Sequence, residues 1–166
     1  MLVEVAEIIN IGIFDAEQNV IAKLLSTLIQ YHNFPVKLLD EIFPGQSLDI
    51  LIINKPPGNQ ALLQTLSPKI IIANSDDKQI LDSASYIGGR IITYGFNPKA
   101  ALTASSLLDN TMIICVQRAI TTISNDPIFP QEFSAQAGVY SDSALCTMAY
   151  IATALVLGLP FHDKIT

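Results

Sequence analysis

Side chains able to do chemistry are sparse in this chain, and the densest group of them is Asn74-Ser75-Asp76-Asp77. Adjacent carboxylates that follow an apolar run can ligate Mg²⁺ through oxygen, with Asp15 or Glu17 as further ligands. The same residues can cap a helix, because Asp76 or Ser75 stands just before a helical pattern that opens at Lys78. His32 and His162 are the only histidines, one after a helical stretch and the other near the C-terminus. A zinc site or a Ser-His-Asp triad therefore has almost nothing to build with. Serines are plentiful, yet no G-x-S-x-G elbow occurs. Tyr94-Gly95 and Asn97-Pro98 read first as a strand end and turn, and second as a ligand contact. Cys115 and Cys146 sit among apolar residues without a C-x-x-C spacing, as expected of buried thiols in a reducing compartment.

A phosphate-binding turn needs glycines, so that backbone N–H groups can approach the phosphate, and a lysine to neutralise it. The candidate turn, Gly12-Ile13-Phe14-Asp15-Ala16-Glu17-Gln18-Asn19, has no second glycine and no lysine. It puts Asp15 and Glu17 where a phosphate would lie. A carboxylate at a helix N-terminus already satisfies the donors and the dipole that phosphate would use. This turn is expected to repel a nucleotide's phosphates, and no cofactor is expected.

The elements that must position these residues follow from the apolar pattern. Strands are expected at Ile8 to Phe14, Val36 to Leu39, Leu48 to Asn54, Lys69 to Asn74 and Arg90 to Tyr94. Helices are expected from Asp15, which with Gln18 forms a capping-box pattern, to about His32, and then over Gln60 to Leu66 and Lys78 to Ser85. Beyond Gly95, Thr111 to Gln117 and Ala119 to Ser124 read as antiparallel strands around a turn, Asn125 to Pro130 as a loop, and Phe133 to Val139 as another strand. The uncharged segment from Ala144 to Phe161 approaches the roughly 20 residues that span a bilayer. Gly158 and Pro160 end it early, so a buried core helix over about Asp142 to Leu157 is expected instead. Fully apolar strands alternating with helices imply a single α/β domain over residues 1–166. Its expected form is a three-layer α/β/α fold, with a mainly parallel Rossmann-like sheet and an antiparallel edge extension near residues 100–139. Ligands of such sheets sit beyond the carboxyl ends of the strands. The candidate crevice is therefore Asp15, Glu17, Asn54, Asn74, Asp76, Asp77 and Tyr94.

The order of these segments resembles a known family. Asn74-Ser75-Asp76-Asp77 followed by Arg90-Ile91-Ile92-Thr93-Tyr94-Gly95 resembles the "NADD … v-x-(F/Y)-G" stretch in the central domain of Mur ligases. Those enzymes use ATP to join amino acids to UDP-muramyl precursors of peptidoglycan. Ser143-Ala144-Leu145 through Gly158-Leu159-Pro160 is similar to the family's closing "NALAAIAAALALGIP" helix. The positions that match are Asn74, Asp76 and Asp77. The departures fall on the catalytic positions. The phosphate-binding lysine is replaced by Gln18 or Ala16, depending on register. Val139-Tyr140 stands in place of a His-Asn pair, Ser143 replaces the last asparagine, and the family's Mg²⁺ ligands have no counterpart. Within these 166 residues no counterpart of the family's N-terminal UDP-binding domain or C-terminal domain is expected. The resemblance thus implies a pseudo-ligase: a non-catalytic module that binds a protein or small ligand, with a link to cell-wall or amino-acid-ligation pathways. The rival reading is an enzyme or nucleotide-binding module whose metal site uses Asp15, Glu17, Asp76 and Asp77. A weaker likeness joins residues 8–66 to response-regulator receiver domains, with Asn54 where their phosphorylated aspartate stands.

Composition bounds the partners. Of the 166 residues half are apolar and 14% are charged, against about a quarter charged in an ordinary soluble domain. The net charge of −6 and nine scattered basic residues argue against nucleic acid, and Glu4 and Glu7 near the start argue against a signal peptide. A cytoplasmic protein with no membrane span is expected. A surface this poor in charge implies cover by an unknown partner protein or by a second copy. Light scattering should therefore give a mass above that of the monomer, and a monodisperse 18 kDa species would contradict it.

Overall fold

The computed structural model describes residues 6–15, 19–108, 111–136 and 143–160. Its elements run β1 (Ile9–Phe14), α1 (Val20–His32), β2 (Val36–Leu38), β3 (Ile50–Ile53), α2 (Gln60–Leu63), β4 (Ile70–Asn74), α3 (Lys78–Ser85), β5 (Arg90–Tyr94), β6 (Leu102–Leu108), β7 (Thr111–Val116), β8 (Ile120–Thr121), β9 (Pro127–Ile128), β10 (Gln131–Gln136) and α4 (Ala144–Leu157). Eight strands form one mixed sheet in the order β2-β1-β3-β4-β5-β6-β7-β10. Pairing is parallel from β2 through β6 and antiparallel among β6, β7 and β10. The fold is α/β and Rossmann-like with an antiparallel edge.

Side-chain alternation explains why the strands are apolar throughout. Ile50 and Ile52 enter one buried cluster with Ile21, Leu25 and Leu28 of α1 and most of α4. Leu51 and Ile53 enter the other, with Leu63, Ile80 and Ala84 of α2 and α3. A strand covered on both faces has no polar side to show, so its period-two signal disappears. Helix α4 has the same property: eleven of its fourteen residues are buried, which makes it a core helix. The hydroxyls of Thr147 and Thr153 bond back to the carbonyls of Ser143 and Ala149, so they sit in this apolar setting without orphaned groups. Gly158, at φ 71°, ends the helix in the left-handed conformation. Among the described residues no helix is long and apolar enough to cross a membrane.

Strand β6 is placed by the shortness of its connection. Residues 95–101 are too few for a helical crossover, which needs about a dozen residues or more. The one parallel register pair, Tyr94 with Leu102, joins the last residue of β5 to the first of β6. The β6-β7-β10 extension consequently projects past the carboxyl ends of the parallel strands.

Several boundaries differ from the sequence expectation. Thr111–Val116 pairs with β6 and β10 and not with residues 119–124. The latter segment is drawn instead to the C-terminal end of α4, where Ile120, Ile123 and Ile128 pack and the Ile123 N–H donates to the Val156 carbonyl at 2.7 Å. Its short strand β8 pairs with β9, inside the expected loop. Helix α2 stops at Leu63, and α1 starts at Val20 after Asn19 in the left-handed conformation, φ 61°. Gln18 and Val139 lie outside the described residues.

Candidate functional site

The carboxyl ends of β1, β3 and β5 meet the start of α4 in a buried polar cluster. Asn54, the first residue after β3, is 8% exposed and Tyr94 is fully buried. The Tyr94 hydroxyl donates to Asn54 Oδ1 at 2.6 Å, and Asn54 Nδ2 donates to Asp15 Oδ1 at 3.2 Å. The other Asp15 oxygen accepts the N–H of Ile21 in the first turn of α1, at 3.0 Å. Asp15 thus caps α1 from across the turn, while Gln18, its expected capping-box partner, lies outside the described residues. The Cys146 thiol completes the group, 3.6 Å from Asn54 Nδ2 and 4.0 Å from Asp15 Oδ1. Its position follows from Ser143, whose hydroxyl accepts the Cys146 N–H as N-cap of α4. Burial first, and then the nearby Cys146, Asp15 and Asp76, hold the Tyr94 hydroxyl well above the usual phenol range.

The Asn74–Asp77 segment makes a second, adjoining arrangement. Asn74 Oδ1 accepts the Asp76 N–H at 2.9 Å, a tight local turn that aims the Asp76 carboxylate at the loop after β5. There each Asp76 oxygen accepts one backbone N–H, from Phe96 and Asn97, both at 2.8 Å. Gly95 makes this approach possible: at φ 146° it is in a glycine region, and a Cβ on it would meet Asp76 Oδ1 at 2.5 Å. The cap of α3 is Asp77, which accepts the Gln79 N–H, whereas the sequence pattern pointed to Asp76 or Ser75. Ser75 donates instead to the Tyr94 carbonyl.

Of the candidate residues, the structure brings Asp15, Asn54 and Tyr94 into one bonded cluster and links Asn74 to Asp76 beside it. Asp77 turns to its own helix, and Glu17 lies outside the described residues. Cys146 belongs to the cluster although its sequence context shows only a buried thiol; the Ser143 cap three residues earlier was the available signal. The second cysteine differs from expectation: Cys115 is half-buried, because β7 directs it to the face opposite α4, with its thiol 3.5 Å from Glu132 Oε1. Among the described residues no three His, Cys, Asp or Glu side chains are arranged to hold a metal ion. What the geometry offers is a rigid polar floor whose donors and acceptors are matched to one another.

Two consequences can be measured. Asn54→Ala leaves the Tyr94 hydroxyl without its acceptor and should cost about 1–3 kcal/mol of stability in denaturant unfolding. Tyr94 stays protonated in the folded state while the unfolded chain ionises near pH 10. The stability it protects is therefore complete below about pH 10 and falls as pH climbs toward its raised folded value. Tyr94→Phe should flatten that alkaline decline; an unchanged slope would contradict the assignment.

No protein-family model matches this sequence, and neither does any curated protein.

Proposed function

We propose that this chain is a non-catalytic domain of the Mur-ligase central type, a pseudo-ligase whose crevice binds a partner protein or small ligand in a cell-wall or amino-acid-ligation setting. One observation carries the reading: Asp15 holds the Ile21 N–H and the Asn54 amide together. A phosphate-binding loop works by leaving the first N–H groups of its helix open to the ligand. Here a built-in carboxylate sits on such a donor, and its charge opposes an incoming phosphate. The Asp76 and Asp77 carboxylates, which would have to ligate Mg²⁺ in the rival reading, each accept backbone N–H groups instead. A receiver-like scaffold shares the strand order β2-β1-β3-β4-β5, but it leaves the β6-β7-β10 extension unexplained.

Calorimetry and thermal shift with ATP or ADP in excess Mg²⁺ test the proposal. The expected result is heat of dilution only and no concentration-dependent rise in Tm. Saturable stabilisation that disappears in Asp76→Ala and Asp77→Ala would overturn it in favour of a metal–nucleotide site.

A further inference from the structure

Helices α2 and α3, on the face of the sheet away from α1 and α4, border a separate cleft of about 240 Å³ lined by Gln60, Leu63, Gln64, Asp82, Ser83 and Tyr86. Its lining has a pattern. Gln60 and Gln64 are one helical turn apart at α2, and Asp82 and Tyr86 are one turn apart at α3, so each pair shares a face of its helix. Leu63 and Ser83, both buried, form the floor. Tyr86 is 72% exposed, the highest value of any large apolar side chain among the described residues. Asp82 is in no ion pair among the described residues, although Lys78 stands one turn before it.

An exposed phenol ring beside an unneutralised carboxylate and two side-chain amides has the chemistry of a cation site. A guanidinium suits it better than an ammonium. Its planar face stacks on tyrosine, while its fork of N–H donors can serve a carboxylate and amide oxygens together. The chain's net charge of −6 adds a field that attracts such a group. We infer that this cleft receives an arginine side chain from a partner protein. The inference shares no residue with the crevice and stands or falls apart from the pseudo-ligase reading.

The test is a ¹⁵N NMR titration with the capped peptide acetyl-Gly-Arg-Gly-amide, and with its uncharged citrulline counterpart. The arginine peptide should give saturable amide shifts confined to residues 60–64 and 82–86 that weaken as salt is raised. Asp82→Asn and Tyr86→Leu, both surface changes, should each reduce affinity by about three- to fivefold, the scale of one exposed charge or cation–π contact. Absence of saturable shifts, an equal response to the citrulline peptide, or unchanged affinity in Asp82→Asn would overturn the inference.

Discussion

Where β3 ends, Asn54 turns its amide into a nearly closed space, and an unmatched polar atom there costs about 1–3 kcal/mol. The space makes two opposite demands. The Tyr94 hydroxyl needs an acceptor, and the Asp15 carboxylate needs a donor. An amide supplies both from one side chain. Ionised aspartate, an acceptor only, would face a second carboxylate, and leucine would leave the Tyr94 hydroxyl without its acceptor. The bonding also ties together segments far apart in sequence, since Asp15 follows β1, Tyr94 ends β5 and Cys146 lies in the first turn of α4.

In the pseudo-ligase proposal, this joint is what sets the crevice apart from the nucleotide sites that are built on sheets of the same architecture. In doubly wound sheets the turn after the first strand is left open for a ligand. Here its carboxylate is bonded inward to Asn54 and to the start of α1. The neighbouring turn is closed in a related way, with Asp76 gripping the backbone of Phe96 and Asn97. Both carboxylates stabilise the loops that a catalytic domain would keep available, which is the physical content of the pseudo-ligase proposal.

Much of this fold was legible in the residues. The all-apolar runs of β3 and β4 and the uncharged stretch of α4 each imply burial on every side, and that is where the structure puts them. The antiparallel region was harder, because Thr111–Val116 and residues 119–124 carry similar patterns. The choice between them is made by packing of Ile120 and Ile123 against α4, which no local pattern records. The candidate site was legible in its members more than in its bonds. Asp15, Asn54 and Tyr94 stand out as polar residues at strand ends, but their partners lie 39 and 40 positions apart. Asp76 looks like a local cap because its neighbours suit one, and its actual donors come 20 and 21 residues later.

The central claim is that the Tyr94 hydroxyl is held by Asn54 in a space closed to water. Proton NMR at neutral pH reports on this directly, since a buried, hydrogen-bonded hydroxyl exchanges slowly enough to give its own resonance. The account predicts a resolved, downfield Tyr94 hydroxyl signal that disappears in Asn54→Ala. A hydroxyl that exchanges freely with solvent in the unaltered protein would contradict it.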